Sequence, residues 1–470
     1  MKVREVDVVI LGLGTSGEDL ALQLLDEGLD VVGVEPNLVG GECPYWACIP
    51  SKIAVRAANV LAEAGRVNQL AGTATANPDW SVVATRIRNE ATGNWDDSYA
   101  AQRFMDRGGH LVREYGRLVE PDTVDAGQET FRARMGVVIA TGSKPFVPPI
   151  PGLDQVAYWT THDAIQAESL PDSMTIIGGG PVGCELAQVF ARFGVKVTVV
   201  EGHRLLSNEE PEASDLITDR FETEGIEVKL GAHVTKARTD GDGAMLTLDD
   251  NTELAASRVL VATGRATDLS QLGLETLGVD SSSRFVETDD RLRVAEGVWA
   301  MGDIAGKAMF THVALYQGEI IAEDILGKNP EPADYQTLPR VTFTDPEVAS
   351  VGLTENQARN NGLDIAVALK DLRSTFRGWL HGSGNEGLVK LVVDRSCDIL
   401  VGATVVGPSA GEVLGLLSVA MHEQIPVANI RRMIFPFPTF YGAIGEAIGA
   451  YGRGTGTVLD PEYRNNAILE

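Results

Sequence analysis

The sequence is poor in cysteine and in positive charge. Only 4 of its 470 residues are cysteine, which is too few for a disulfide scaffold. Lys and Arg number 39 against 66 Asp and Glu, and the resulting net charge of -27 disfavours binding to nucleic acid or to anionic membranes. No apolar run approaches the roughly 20 residues of a membrane-spanning helix. The first 12 residues carry Glu5 and Asp7, which is typical of a β-strand and not of a signal peptide. We therefore expect a cytoplasmic globular protein.

Two segments of the chain, residues 8–35 and 175–201, share one pattern. Each has an apolar run, a glycine-rich turn, a helical stretch, and a second apolar run that ends in Glu. The first glycine and the Glu are 23 residues apart in both copies (12 to 35 and 178 to 201). This pattern predicts a βαβ unit whose helix N-terminus faces a pyrophosphate and whose carboxylate binds a ribose. Two copies indicate two nucleotide sites, one for a flavin and one for a nicotinamide.

Two further apolar stretches end in the same tripeptide, Ala-Thr-Gly, at residues 140–142 and 262–264. Each predicts a buried strand that closes a nucleotide domain and turns at its ligand-facing edge. The proline-rich residues 145–151 are typical of a linker into the second domain. After about Gly327 no nucleotide motif occurs, so the remaining residues are predicted to form a third domain.

The segment 40–52 follows the first βαβ unit directly and contains Cys43 and Cys48. A C-x4-C spacing is unusual for a metal site, and no second Cys or His pair lies at zinc-finger spacing. No metal site is therefore expected. A close cysteine pair in a cysteine-poor chain favours redox chemistry instead.

Together these motifs resemble the pyridine nucleotide–disulfide oxidoreductases, a family that includes dihydrolipoamide dehydrogenase, glutathione reductase and mercuric reductase. Residues 298–303 resemble its second FAD motif, and residues 343–353 resemble the start of its dimerisation domain. The resemblance implies an α/β fold with two Rossmann-like dinucleotide-binding domains and a C-terminal α+β dimerisation domain. The expected boundaries are 1–148 and 269–335 for FAD, 149–268 for NAD(P), and 336–470 for dimerisation.

The resemblance also implies roles for individual residues. Electrons would pass from NAD(P)H through FAD to a Cys43–Cys48 disulfide, with Cys48 facing the flavin and Cys43 attacking the substrate. Lys52 and Glu185 match the family's ion pair beside the flavin. The residues expected to bind FAD are Gly12, Gly14, Ser16, Gly17, Glu35, Pro36, Gly41, Glu42, Arg117, Thr141, Gly142, Asp303, Phe310, Thr311 and His312. Those expected to bind the nicotinamide nucleotide are Gly178, Gly180, Val182, Gly183, Glu201 and Gly264.

The preferred nicotinamide nucleotide is expected to be NADH. Glu201 stands where relatives that use the phosphorylated nucleotide carry a basic residue, and a carboxylate repels a 2′-phosphate. Gly183 as the third glycine favours the same choice. His203 and Arg204 lie nearby and leave NADPH as the alternative.

The chain departs from the family near its C-terminus. Relatives carry a His and, five residues later, a Glu that serve the partner subunit's thiols as acid and base. Here Phe437 and Gly442 stand at these positions. Either Tyr441 supplies a base, or the acceptor is neither lipoamide nor glutathione; we favour the second interpretation. Mercury reduction is not expected, because that activity requires a C-terminal cysteine pair.

The acceptor is expected to be a small, apolar or planar molecule, such as an uncommon disulfide or a quinone. The residues predicted to line its pocket are Tyr45, Trp46, Phe437 and Tyr441. A homodimer is expected, because the family's active site spans both subunits. The alternatives are a dihydrolipoamide dehydrogenase and a flavoprotein redox sensor without rapid turnover.

Overall fold

The computed structural model describes residues 3–452, and its first part is built on two long apolar strands. These strands, β1 (Val3–Leu11) and β6 (Glu129–Ile139), pair in parallel and are buried along most of their length, as the centre of a parallel sheet requires. The strands of residues 3–145 are β1 (Val3–Leu11), β2 (Val31–Val34), β3 (His110–Val112), β4 (Gly116–Glu120), β5 (Thr123–Ala126), β6 (Glu129–Ile139) and β7 (Lys144–Pro145). The helices are α1 (Thr15–Asp26), α2 (Glu42–Tyr45), α3 (Cys48–Leu70), α4 (Trp80–Arg86) and α5 (Ser98–Asp106), with a π-helical turn at Ile87–Ala91.

The second part repeats this plan around a sheet of its own. Its strands are β8 (Tyr158–Trp159), β9 (Ser173–Ile177), β10 (Lys196–Glu201), β11 (Glu227–Leu230), β12 (Val234–Asp240), β13 (Gly243–Leu248), β14 (Glu253–Ala256), β15 (Arg258–Val261) and β16 (Arg265–Ala266). Its helices are α6 (Thr161–Gln166), α7 (Pro181–Arg192) and α8 (Pro211–Thr223). The strand order is β11-β10-β9-β15-β8, and β12, β13 and β14 form a separate antiparallel sheet.

The chain then returns to the first sheet. It forms β17 (Arg293–Ala295), β18 (Val298–Ala300) and α9 (Thr311–Ile325). Strand β18 pairs in parallel with β6, which gives the order β17-β18-β6-β1-β2-β3, with β4 and β5 attached to β6. The two crossings between the first and second parts, β7 and β16, pair with each other in antiparallel orientation. The second part is thus an insertion into the first.

The third part is an antiparallel sheet covered by helices. Its strands are β19 (Pro339–Thr342), β20 (Glu347–Gly352), β21 (Ile365–Asp371), β22 (Leu388–Asp394) and β23 (Ile399–Gly407). Its helices are α10 (Glu355–Asn360), α11 (Phe376–His381), α12 (Ala410–His422), α13 (Val427–Ile430) and α14 (Gly442–Gly452). Apolar side chains of α12 and α14 pack onto this sheet in one buried cluster. This architecture confirms the predicted fold class.

Residues 1–2 and 453–470, which end the predicted FAD and dimerisation domains, lie outside the described residues. Among residues 3–452, no helix is both long enough and apolar enough to cross a membrane.

Candidate active site

The two glycine turns have the same construction at atomic level. A Cβ added at Gly12 would lie 2.4 Å from the carbonyl oxygen of Ala140, and one at Gly178 would lie 2.4 Å from that of Ala262. Both alanines begin the Ala-Thr-Gly tripeptides noted in the sequence. The third glycine of each turn is equally confined, since a Cβ at Gly183 would lie 2.0 Å from the carbonyl oxygen of Gly178. These glycines are needed for packing of turn, helix and closing strand.

The middle glycines are different, because the space in front of them is open. A Cβ added at Gly14 or Gly180 would meet no atom of the protein within 4 Å. Each immediately precedes a 12-residue helix, α1 or α7, whose first N–H groups have no partner within the helix. Open space at a helix N-terminus suits a pyrophosphate. The residues present therefore fit two dinucleotides.

The acid at the end of each second strand braces the glycine turn. Glu35 accepts hydrogen bonds from the N–H groups of Leu13, at 2.9 Å, and Asn37, at 2.8 Å. Glu201 accepts them from Gly179, at 2.7 Å, and from His203, at 2.9 Å. In both copies the carboxylate holds the residue between the first two glycines, so the duplication extends to hydrogen bonding. Each carboxylate oxygen retains a lone pair with which to accept a bond from a ribose hydroxyl.

The cysteine segment lies directly against the first glycine turn. Gly40 forms a β-bridge with Gly14, and a Cβ added at Gly41 would lie 2.8 Å from the Gly14 Cα. Cys48 is the first residue of α3, and its Sγ lies 3.5 Å from the Oγ1 of Thr311, the first residue of α9. The cysteine pair and two helix N-termini therefore meet at the edge of the first nucleotide site.

The two thiols of the pair have opposite acidities. A hydrogen bond with Cys43 lowers the pKa of Cys48 to about 6, against the effect of burial and with help from Thr311 and Lys52. The same hydrogen bond, together with burial, raises the pKa of Cys43. Burial likewise raises the pKa of Cys184, which lies wholly inside α7. Cys48 is thus the thiolate of this pair at neutral pH, and Cys43 is its hydrogen-bond donor.

The predicted ion pair is formed across two domains. Lys52 Nζ lies 2.6 Å from Glu185 Oε2, and the Glu185 side chain is only 6% exposed. The other oxygen of Glu185 accepts a hydrogen bond from the Phe343 N–H at 2.9 Å, and the Lys52 ammonium stands 4.8 Å from the centre of the Phe343 ring. Residues from all three parts of the chain thus fix the position of the Lys52 charge.

Several other residues predicted to bind FAD surround the same edge. The Asp303 carboxylate accepts a hydrogen bond from Ser143 and lies 3.5 Å from Arg265 Nε. Phe310 precedes α9 and stacks on the ring of His312, whose Nε2 donates to the Pro339 carbonyl at 3.1 Å. The ring of His312 is therefore committed to the third part of the chain, which leaves its backbone at the helix N-terminus.

The positions of two predicted site residues require correction. Tyr45 is 7% exposed and its ring packs beneath Gly40, because α2 turns this side chain inwards; it cannot line a pocket for an acceptor. The Arg117 guanidinium is exposed and pairs with Glu275, so this side chain is held at the surface by a carboxylate. The adjacent Gly116 packs directly on Leu11.

Three residues that no motif indicated, Trp95, His162 and Arg265, lie against the cysteine segment. The Trp46 ring stacks with the rings of Trp95 and His162. The His162 Nε2 is 2.8 Å from Glu42 Oε1, and Arg265 Nη2 is 3.0 Å from Glu42 Oε2. Glu42, which was predicted to bind FAD, is therefore occupied by two cationic or hydrogen-bonding groups from the second domain.

The C-terminal segment places aromatic rings around a cavity of about 260 Å³. Phe437 is 74% exposed and its ring meets that of Phe376 edge-on at 5.4 Å. Arg377, Arg431 and Glu446 line the same cavity. Glu446 pairs with Lys370 at 2.9 Å, and the Arg377 guanidinium stands 5.0 Å from the centre of the Phe440 ring. Tyr441, which was predicted to line the pocket, packs on Phe435 with ring centres 5.2 Å apart and is partly buried against the domain core.

No metal centre accompanies these residues in the described part of the chain, where no three His, Cys, Asp or Glu side chains are grouped as an ion would need. Two dinucleotide sites, the first with a cysteine pair at its edge, define a flavin- and nicotinamide-dependent oxidoreductase.

The family comparison identifies the class more closely: the chain belongs to the pyridine nucleotide-disulphide oxidoreductases. The family's principal domain matches residues 6–318, and its dimerisation domain matches residues 338–448. The protein is accordingly a flavoprotein disulfide oxidoreductase, and FAD is its expected flavin. The matched dimerisation domain supports a homodimer.

Similar proteins of known activity differ in their acceptors. A mercuric reductase of Streptomyces lividans is 34% identical, covering 93% of this chain and 94% of the relative. A dihydrolipoyl dehydrogenase of Bacillus subtilis is 32% identical, with coverage of 94% and 97%. The Cu(II) complex of RclA, an HOCl-induced flavoprotein disulfide reductase of Escherichia coli, superposes with a TM-score of 0.84 at 26% identity, covering 94% of this chain and 99% of that one.

Proposed function

We propose that this protein is an NADH-preferring oxidoreductase that carries electrons through Cys43 and Cys48 to a small acceptor. FAD, when bound, supplies the two-electron carrier between the nicotinamide and the cysteine pair. The observation that carries this proposal is the asymmetric pair itself. Cys48 has a lowered pKa and contacts α9 at the first nucleotide site, while Cys43 hydrogen-bonds to it and retains its proton.

The path has an inner half, from the nicotinamide nucleotide to Cys48, and an outer half, from Cys43 to the acceptor. The protein's own residues account for the inner half. The Lys52 ammonium, fixed by Glu185 and Phe343, supplies a positive charge where negative charge develops on reduction. The N-terminus of α9 adds the positive end of a helix dipole beside Cys48. Both features stabilise the Cys48 thiolate and would stabilise a reduced flavin, so they favour the reduced state of this site before electrons pass through Cys43 to the acceptor.

The outer half lacks the acid–base pair of typical relatives, and we propose that it takes a different acceptor. By the family resemblance, Phe437 of one subunit approaches the cysteine pair of its partner. The cavity beside Phe437 is lined by Phe376, Phe435, Arg377, Arg431 and Glu446, and the carboxylate of Glu446 is paired with Lys370. Rings favour an apolar or planar group, and arginines favour an acidic one. An aryl disulfide or a quinone that bears a carboxylate has both properties.

A stopped-flow experiment tests the proposed function. The holoenzyme is mixed with NADH, and flavin absorbance is followed together with alkylation of Cys43 and Cys48. We expect the flavin to bleach within milliseconds to seconds, and both cysteines to become alkylated in a sample quenched at that point. In a second sample, left unalkylated, a carboxylated aryl disulfide or quinone should reoxidise the reduced enzyme faster than its neutral analogue does. Rapid turnover of dihydrolipoamide with NAD would instead identify a dihydrolipoamide dehydrogenase. A flavin that NADH cannot bleach would indicate a redox sensor.

The choice of nicotinamide can be tested at Glu201. A 2′-phosphate a few ångströms from this carboxylate would be repelled by about 1 to 4 kcal/mol, so kcat/KM should favour NADH by roughly tenfold or more. Arg204 donates to the carbonyls of Ser207 and Glu209 and is thereby held away from a phosphate-binding role. Glu201→Gln keeps an acceptor for the turn but removes the charge, and we expect it to narrow the NADH preference mainly through a lower KM for NADPH.

As a control for this experiment, Glu35→Gln makes the equivalent change in the FAD site. It should leave the ratio of NADH to NADPH activity unchanged. Equal use of both nucleotides by the unmodified enzyme would contradict the proposed preference without affecting the cysteine path.

A further inference from the structure

His162, in the nicotinamide-nucleotide domain, contacts the cysteine segment at two places, Glu42 and Trp46. His162 lies in α6, which packs against β8 and β15 of the second sheet. Its Nε2 is 2.8 Å from the carboxylate of Glu42, the residue before Cys43. Its ring also stacks on Trp46, two residues before Cys48, with ring centres 4.4 Å apart and planes inclined by 16°.

The Trp46 ring has a second aromatic neighbour. Trp95 stacks on it with ring centres 5.5 Å apart and an interplanar angle of 24°. The Trp95 indole N–H donates to the Tyr45 carbonyl at 3.3 Å, which ties Trp95 to the same segment. The indole between the two cysteines therefore stacks with a ring of its own domain and with a ring of the nucleotide domain.

Glu42 also holds the cysteine segment in place, through both its main chain and its side chain. Its carbonyl accepts hydrogen bonds from the N–H groups of Trp46, at 2.8 Å, and Ala47, at 2.9 Å. Its carboxylate is held by His162 and by Arg265, which also donates to Ser143 at 2.7 Å and 2.6 Å. Both of these side chains belong to the part of the chain that carries the second nucleotide site.

We propose that His162 is a positioning residue that sets how readily Cys43 and Cys48 close into a disulfide. Closure joins the Cys48 thiolate and the Cys43 thiol in one S–S bond and releases one proton and two electrons. An external disulfide accepts the two electrons and is cleaved to two thiols, taking its second proton from solvent. The reaction requires the two sulfurs to approach to bonding distance, so a fixed segment raises the effective concentration of one thiol at the other. The inference rests on the proposed redox role of the pair and adds that the nucleotide domain controls it.

The test is His162→Ala in the holoenzyme, equilibrated with mixtures of reduced and oxidised dithiothreitol. The oxidised fraction of Cys43 and Cys48 is measured by alkylation and mass spectrometry. We expect the equilibrium constant for closure to fall about tenfold, which for a two-electron couple makes the potential about 30 mV less negative. His162→Gln retains a donor for Glu42 but loses the ring, and it should give an intermediate value.

His233→Ala is the matched control. His233 also pairs with a carboxylate of the second part of the chain, Asp249 at 3.3 Å, but it is exposed. It should leave the closure equilibrium unchanged. If both His162 variants lower the melting temperature without changing that equilibrium, the residue is only structural and the proposal is overturned. If the unmodified pair does not interconvert with dithiothreitol at all, the proposed redox function fails first.

Discussion

Cys43→Ser is expected to lower acceptor reduction by about a hundredfold or more while leaving flavin reduction by NADH intact. The reason is the division of labour within the pair. Cys48 contacts α9 at the first nucleotide site and carries the lowered pKa, whereas Cys43, in the proposed mechanism, would attack the acceptor after passing its proton to Cys48. Without the second sulfur no disulfide can form, so electrons that reach this site have no covalent exit. Steady-state turnover and stopped-flow bleaching separate the two halves.

The same variant has a spectroscopic signature with a predictable pH dependence. The serine introduced by Cys43→Ser keeps a hydroxyl that can donate to the Cys48 sulfur, so the lowered Cys48 pKa should largely persist. A thiolate beside oxidised flavin absorbs at long wavelength, and the folded-state pKa of Cys48 is about 6. The band should therefore be present above that pH and be lost as the pH falls through it. Cys397→Ser, at an exposed turn of the third domain, should change neither turnover nor spectrum.

Full turnover of Cys43→Ser with the best acceptor would show that the pair is not the exit for electrons. The acceptor would then have to take them directly at the flavin. Absence of the long-wavelength band at all pH values would contradict the placement of Cys48 beside the first nucleotide site.

The sequence was sufficient to predict the parts of this protein in which backbone geometry dictates residue type. Gly12 and Gly178 meet a carbonyl oxygen so closely that no side chain fits, and the same constraint in two places produced a visible repeat. Glu35 and Glu201 end the second strand of each unit because a carboxylate there braces the turn. Such constraints act over short stretches of chain, so they can be recognised from spacing.

The contacts around Glu42 could not be predicted in this way. His162 and Arg265 lie 120 and more residues away, and they belong to no motif. Their meeting depends on how an inserted domain is oriented on the sheet that it interrupts. The burial of Tyr45 has a related reason. Trp46 caps α2, and successive helical side chains are rotated by about 100°, so Tyr45 is enclosed while Trp46 is only half-buried.

Phe437 illustrates a third situation, in which the sequence indicated that a function had changed but not what replaced it. The missing histidine was evident from the motif. The proximity of Phe376 and Arg377, which lie about 60 residues earlier, became evident only when α11 was seen to pack beside this segment. A helix of the third domain thus contributes to the proposed acceptor cavity, although neither its composition nor its position suggested a binding role.

The second large effect is expected at the open glycines, where one methyl group should separate the two nucleotide sites. Gly14 and Gly180 have φ of -60° and -75°, which alanine adopts without strain, and an added Cβ meets no protein atom within 4 Å. The variants Gly14→Ala and Gly180→Ala should therefore fold. Each methyl group would instead occupy space in front of a helix N-terminus, where a pyrophosphate must approach the backbone. Overpacking of this size costs about 1–3 kcal/mol, or roughly a five- to 150-fold loss of affinity.

Gly14→Ala should accordingly lose FAD during purification or in fluorescence titrations, whereas Gly180→Ala should retain FAD and show a raised KM for NADH with a nearly unchanged kcat. Gly65→Ala, in the exposed part of α3, also adds a methyl group to open space and should affect neither nucleotide. Unchanged FAD affinity in Gly14→Ala together with unchanged KM in Gly180→Ala would mean that the open spaces are not pyrophosphate sites. If Gly14→Ala instead raised the KM for NADH and Gly180→Ala lost FAD, the flavin would bind at the second glycine turn and the nicotinamide nucleotide at the first.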